Sequence, residues 1–229
     1  LDRSSAASDV HKRQAIYFIP AYAPEIALGI LVLPVVMLAA NFVNKPLEAA
    51  ISRWYYNDAK RILRSMPDLK IIGITGSFGK TSTKHYLYRI LSERYNVLMT
   101  PGNFNTTLGV IRTVREHLKP HHQVFIVEMG AKQVGDIKEI CDLVHPTIGI
   151  VTAVGEMHLE TFKSIENIQD TKFELINSLP ANGLGIINND SKYINNYTGI
   201  TSPCKVVRYA VEALSLIHIS EPTRRYAIS

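Results

Sequence analysis

The stretch IIGITGSFGKTSTKHYLYRIL, residues 71–91, decides how the rest of the chain is read. An apolar run ends at Ile74, a short loop carries Gly76 and Gly79, and Lys80-Thr81 opens a pattern with helical spacing. Strand, glycine loop and helix in that order cradle phosphate, because the first N–H groups of a helix have no intrahelical acceptor and its dipole favours an anion. The usual form of such a P-loop is Gly-x-x-x-x-Gly-Lys-[Ser/Thr]. Here Gly79-Lys80-Thr81 fits, while Ile74 stands in the place of the first glycine, with Gly73 and Gly76 on either side. The reading assigns the phosphates of a nucleoside triphosphate to Thr75, Gly76, Ser77, Phe78, Gly79, Lys80, Thr81 and Ser82. Lys80 would neutralise phosphate charge and the Thr81 hydroxyl would ligate Mg2+. The competing reading, a glycine turn beside an exposed lysine, is disfavoured by the flanking strand and helix. The loop alone does not say what is phosphorylated.

Working outward, short apolar runs alternate with helical patterns. Strands are expected at Lys70–Thr75, Asn96–Met99, Gln123–Glu128, Thr147–Ala153, Gly183–Asn188 and Lys205–Tyr209. Helices are expected at Lys80–Arg94, Thr107–Leu118, Val134–Val144, Ser164–Ser178 and Ser191–Asn196. Runs such as VFIV and IGIV are apolar at every position, as strands covered on both faces are. The alternation predicts an α/β fold with a doubly wound, mostly parallel sheet. Sites in such sheets collect beyond the C-terminal ends of the strands. The polar residues obey this: Thr75–Thr81, Pro101–Thr107, Glu128 and Glu156–His158 each follow or end a strand.

Upstream, residues 26–43 (IALGILVLPVVMLAANFV) carry no charge, and eighteen such residues reach the lower limit for a membrane span. Pro34 lies within the run, which a membrane helix tolerates when neighbours satisfy the freed carbonyl. Lys45, Arg53, Lys60, Arg61 and Arg64 follow, against only Glu48 and Asp58, so the positive-inside bias puts everything after Asn44 in the cytoplasm. A transmembrane segment is therefore expected at 15–44, in the cytoplasmic membrane. A buried soluble helix competes with it; a signal-peptide core is disfavoured because no small-residue cleavage site follows. Residues 45–67 are expected to form a basic amphipathic juxtamembrane helix, with Leu47, Ile51, Trp54, Tyr55 and Ile62 near helical spacing. That helix either lies along the membrane surface or packs on the next domain.

Both ends, LDRSSAASDVHKRQ and SLIHISEPTRRYAIS, resemble translated sequencing adapter, so residues 1–14 and 215–229 are set aside and the chain is expected to be a fragment. Without them the formal charge falls from +5 to +3, which weakens any argument for nucleic acid as a partner, and none is expected. Cys141 and Cys204 stand far apart, which argues against a disulfide framework or a zinc ribbon and suits a reducing compartment.

Five further segments, TGSFGKTSTK, PGNFNTTLGV, VFIVEMGAKQVGDI, VGEMHLETFKSIENIQDTKFEL and IINND, occur in an order and spacing that resembles the central ATPase domain of the Mur ligase family. The likeness covers Asp68 to Ala213, within an expected domain at 68–214. It implies that Lys80 and Thr81 are the phosphate lysine and the Mg2+-binding hydroxyl. It implies acidic and imidazole metal ligands at Glu128 and His158, and at Lys172 a carbamylated lysine, a CO2 adduct that would serve as a further metal ligand. It further implies catalytic roles for Lys80, His158 and Lys172 and nucleotide contacts by Asn188 and Asp190. Asn103, Asn105 and Thr106 fall in the family's asparagine-rich substrate loop, where Thr106 and Thr107 depart from the family's usual residues. Neither the UDP-sugar-gripping domain nor the C-terminal domain that closes over ATP is in view, so the fragment by itself is expected to be inactive.

The resemblance implies ATP- and Mg2+-dependent amide bond formation through an acyl phosphate, joining D-alanyl-D-alanine to a UDP-muramoyl-peptide in cell-wall precursor synthesis. The chemistry is consistent with that set of side chains. Phosphoryl transfer and amine attack both crowd negative charge, which metal ions neutralise. Two alternatives stay open: the same chemistry on a folate or poly-amino-acid carboxylate, and a membrane-anchored nucleotide-binding module that makes no bonds.

Overall fold

The computed structural model describes residues 3–157 and 159–210, with side chains at 27–157 and 160–210. The chain divides into two compact units, Leu1–Trp54 and Tyr55–Ser229. The first is a single helix, α1 (Arg3–Arg64), whose last turns belong to the second unit. The sequence separates a span at 15–44 from a second helix at 45–67; the backbone instead stays helical through Pro34 and Pro46. Each proline removes one N–H donor, and a long helix absorbs such isolated losses without breaking. Within α1, Ala27–Arg64 is long and apolar enough to cross a membrane, and Leu28, Leu31, Val35, Leu38 and Phe42 are all exposed.

The second unit is a six-stranded sheet, all parallel, in the order β2-β3-β1-β4-β5-β6. Its strands are β1 (Lys70–Thr75), β2 (Val97–Met99), β3 (Val124–Glu128), β4 (Ile148–Val151), β5 (Leu184–Asn188) and β6 (Lys205–Tyr209). The helices are α2 (Lys80–Ser92), α3 (Thr107–His117), α4 (Asp136–Val144), α5 (Leu159–Phe162), α6 (Ile165–Asn177) and α7 (Lys192–Asn195). All six strands and five of these helices lie where the sequence expects them, to within a few residues; α5 is additional. β1 and β4 form the central pair with β3 beside β1, and Ile74, Phe125, Ile126 and Val127 are fully buried. Burying each such side chain contributes about 1.5–3 kcal/mol.

Helices cover both faces. Leu87, Tyr88 and Leu91 of α2 pack against Ile72, Ile74, Val124 and Ile126 on one face. On the other, α3 and α4 meet Ile71, Phe125 and Val127. The same side holds Ala59 and Leu63 from the end of α1, with Tyr56, Ile62 and Met66 beside them. Asp58 fastens that end: it pairs with Arg115 of α3 at 2.9 Å and with Arg61 at 2.6 Å, and the Arg115 guanidinium lies 4.2 Å from the Tyr55 ring. Of the two alternatives left by the sequence, Tyr55–Met66 therefore takes the packed one.

A row of glycines lets α6 approach the sheet. Gly73, Gly149 and Gly185 are register partners on β1, β4 and β5. A Cβ on Gly73 would fall 2.7 Å from Leu175 Cδ1, one on Gly149 3.0 Å from Leu175 Cγ, and one on Gly185 3.2 Å from Ile176 Cδ1. Leu175 and Ile176 thus rest on bare backbone, and the same helix carries Lys172 and Glu174.

Candidate active site

The chain leaves β1 toward β2 and leaves β4 toward β5, so β1 and β4, which lie side by side, send their connections to opposite edges. A crevice opens at such a switch point beyond the carboxyl ends of the strands. The glycine loop fills it. Thr75 is buried and its hydroxyl donates to Met129 O at 3.0 Å, locking the end of β1 to the end of β3. The chain then turns at Gly76 (φ 149°), where a Cβ would lie 2.1 Å from Thr152 Oγ1, and at Gly79 (φ 80°). Thr152 Oγ1 lies 3.2 Å from Thr75 O and 2.5 Å from Phe78 O. Ser77 N–H donates to Ala153 O at 2.7 Å, and Ser77 Oγ accepts from Gly155 N–H at 3.0 Å. The loop is sewn along its length to the exit of β4, and exposed Phe78 lies over Gly155.

At the start of α2, Gly79 caps the helix in the left-handed region without a side-chain bond, and Thr83 N–H to Gly79 O is the first helical bond. The N–H groups of Lys80, Thr81 and Ser82 have no intrahelical acceptor, which is the arrangement that takes a phosphate oxygen. Lys80 Nζ folds back over the loop, donating to Gly76 O at 2.7 Å. Burial lowers the Lys80 pKa and the Glu128 carboxylate opposes that lowering.

Thr81 Oγ1 lies 3.1 and 3.2 Å from the two oxygens of Glu128, which ends β3 and is 2% exposed. Asn105 Nδ2 approaches Glu128 Oε1 at 3.4 Å, and the Glu128 N–H donates to buried Thr100 Oγ1 at 3.1 Å. Asn105 is seated by Gly130, whose N–H donates to Asn105 O at 2.7 Å and whose missing Cβ leaves room for the amide. Asn103 is exposed on the same loop, and Thr106 accepts from Gly109 N–H as the cap of α3.

Lys172, on α6, is 5% exposed. Burial, and secondarily the positive charge of Lys80, bring its pKa down to about 8, against the opposing pull of Glu174 and Asp136. Glu174 reaches across to the start of α4, where its oxygens accept from Gly135 N–H and Lys138 N–H, each at 2.8 Å. Asn188 Oδ1 accepts from Asp190 N–H at 3.0 Å, closing a turn beyond β5 and so two strands from β1. His158 lies outside the described residues. The structure thus brings Lys80, Thr81, Glu128 and Asn105 together, places Lys172 within electrostatic reach of Lys80, and sets Asn188 and Asp190 further along the same edge.

Among the described residues no group of three His, Cys, Asp or Glu side chains could hold a metal ion. The fit is to Mg2+ all the same. Thr81 and Glu128 offer a hydroxyl and one carboxylate in contact with each other, and Mg2+ binds through one or two such oxygens and fills its shell with water and phosphate.

Four residues of the site were not singled out from sequence: Lys84, Thr100, Thr152 and Glu174. For Lys84 there was a signal, since it shares the sheet-facing stripe of α2 with Leu87, Tyr88 and Leu91, where an apolar residue is the rule. The others, two threonines and a glutamate, are ordinary polar side chains whose partners lie far away in sequence.

Residues 74–224 match the family model described as the Mur ligase middle domain. The chain belongs to the Mur ligase family. It is 30% identical over 181 residues to the UDP-N-acetylmuramoyl-tripeptide–D-alanyl-D-alanine ligase of Escherichia coli (strain K12), covering 76% of this chain and 40% of that enzyme. To the ligase of the same name from Synechocystis sp. it is 36% identical over 144 residues, 63% of this chain and 32% of that enzyme. Among solved structures, MurF from Thermotoga maritima in complex with ADP superposes with a TM-score of 0.64 at 29% identity, over 70% of this chain and 36% of that one. MurF from Acinetobacter baumannii gives 0.63 at 28% identity, over 67% and 34%. This Mur ligase chain therefore spans 40% or less of the length of these relatives.

Proposed function

We propose that this chain is the ATP-binding part of an ATP- and Mg2+-dependent ligase that adds D-alanyl-D-alanine to a UDP-muramoyl-peptide. The observation that carries this reading is the meeting of the glycine loop, Thr81 and Glu128 at one sheet edge, with Lys172 buried in the field of Lys80. A carboxylate resists amines because its oxygen leaves poorly. Transfer of the terminal phosphoryl group of ATP makes it an acyl phosphate, and attack by the amine then expels phosphate and leaves the amide. The open N–H groups of Lys80–Ser82 and the Lys80 ammonium hold the phosphates in line for the first step. Mg2+, held by Thr81 and Glu128, would neutralise charge as the phosphoryl group moves. Glu128, nearly excluded from water, keeps its charge oriented without reorganisation.

Lys172 fits a carbamate. With a pKa of about 8, roughly a quarter of its amine is neutral at pH 7.5, against about one part in a thousand for an ordinary lysine. The neutral nitrogen adds to the carbon of CO2 and releases one proton; counted from the ammonium two protons leave, and a buried cation in the field of Lys80 becomes an anion. Asn103, Asn105 and Thr106 belong to the loop assigned to the muramoyl substrate, His158 to the metal site, and Asn188 and Asp190 to the nucleotide. The complete enzyme should release phosphate from ATP only when a UDP-muramoyl-tripeptide and D-alanyl-D-alanine are both supplied. Release that is indifferent to either, or that responds to a folate or a poly-glutamate instead, would overturn the assignment.

We extend the proposal to the membrane: the exposed apolar stretch of α1 anchors the protein in the cytoplasmic membrane, with the sheet unit on the cytoplasmic side. Its support is the uncharged run at 26–43 followed by Lys45, Arg53, Lys60, Arg61 and Arg64. Expressed protein should stay in the membrane pellet after an alkaline wash. Its release to the supernatant would remove the anchor.

A further inference from the structure

We propose that Lys84 is a positioning residue that fixes the Glu128 carboxylate and the asparagine-bearing loop to one another. The inference rests on the reading of Glu128 as a Mg2+ ligand. Lys84 lies on α2 one turn beyond Lys80, and its side chain has no exposure to solvent. Its ammonium meets Glu128 Oε2 at 2.9 Å and donates to Gly102 O at 2.6 Å. One cation therefore joins three segments: the helix behind the glycine loop, the end of β3, and the loop that presents Asn103 and Asn105.

Stability alone gives no reason for a lysine there. The position faces the sheet in line with Leu87 and Leu91, and replacing a buried ion pair by well-packed apolar residues is often neutral or stabilising. The cation also lies near the positive end of a helix and four residues from Lys80, both unfavourable. What it supplies is geometry. Glu128 keeps Oε1 toward Asn105 while Oε2 is held by Lys84, and both oxygens stay within reach of Thr81. If Glu128 moves, Gly102 and the loop lose their tether. Partners that orient a metal ligand change metal affinity or activity by about 10–100-fold when removed.

The test uses the full chain carrying Lys84→Met or Lys84→Arg, with ADP and Mg2+ as probes. Calorimetry measures the gain in ADP affinity that Mg2+ confers, and amide exchange follows Gly102–Asn105 against β1 and β4. For Lys84→Met the Mg2+-dependent gain should fall about 10–100-fold. Exchange at Gly102–Asn105 should rise at least tenfold while β1 and β4 keep their rates. Lys84→Arg, which keeps the charge but puts a larger planar guanidinium in place of the compact ammonium, should give the same pattern more weakly. A lower melting temperature with the Mg2+ gain and the loop exchange both intact would show a merely structural role and overturn the proposal. Should Lys84→Met not fold, the paired change Lys84→Met with Glu128→Gln leaves no unpaired charge at this position, and loop exchange in that variant decides. If the unaltered chain gains nothing from Mg2+, the Glu128 ligand reading fails, and the exchange data still settle whether Lys84 holds the loop.

Discussion

Replacing Lys172 by methionine keeps the length of the side chain and removes its amine. In the folded chain that amine has a pKa of about 8, against 10.5 for a free lysine. A difference of about 2.5 at 1.36 kcal/mol each corresponds to about 3 kcal/mol. The direction follows from where the proton is bound. Below pH 8 the amine is protonated folded and unfolded alike, and the fold carries the whole cost of a buried cation. Between pH 8 and 10.5 the unfolded chain binds more protons, so stability climbs with pH; above 10.5 the cost is gone. In CO2-free buffer at pH 7, Lys172→Met should raise the unfolding free energy by up to about 3 kcal/mol, and the advantage should shrink toward zero by pH 10.5. The assay is denaturant unfolding of both full chains in detergent, followed by circular dichroism at several pH values. With 13C-bicarbonate near pH 8, only the unaltered chain should show a carbamate carbon resonance. A stability difference that stays flat from pH 7 to 10.5 would refute the buried-cation argument, and absence of the carbamate signal would refute the CO2 adduct.

Three other outcomes are expected. Gly76→Ala would put a Cβ 2.1 Å from Thr152 Oγ1, displacing a hydroxyl that holds Thr75 O and Phe78 O. Strain and lost bonds of about 1–3 kcal/mol should weaken ADP binding roughly tenfold or more by calorimetry. Leu63→Ala empties part of the contact between the end of α1 and the α3–α4 face, and should cost about 2–4 kcal/mol in chemical unfolding. Glu174→Ala leaves the N–H groups of Gly135 and Lys138 without their acceptor, a loss of about 1–2 kcal/mol. Because Glu174 supports the charged form of Lys172, the same change should move carbamate formation to lower pH in a bicarbonate titration.

The alternation of apolar runs and helical patterns determined the parallel α/β sheet, because strands covered on both faces and helices covered on one differ in period and in length. Gly76, Gly79, Lys80 and Thr81 determined the phosphate loop, since three of its needs, a left-handed turn, a close approach and an open helix start, depend on residues adjacent in sequence. The apolar run at 26–43 was equally legible, being a matter of composition and length.

Contacts between distant segments were decided only in three dimensions. Sequence leaves Lys84 as one lysine among many; in the fold it has no exposed surface, because α2 turns that position onto the strand end that carries Glu128, forty-four residues away in the chain. Glu174 becomes a helix cap for α4 only because the glycines of β1, β4 and β5 admit α6 to the sheet. Tyr55–Met66 belongs to the core of the sheet unit because Asp58 finds Arg115 there, a partner fifty-seven residues downstream. A local pattern records what a segment needs, whereas burial and ion pairing depend on which other segment arrives to meet it.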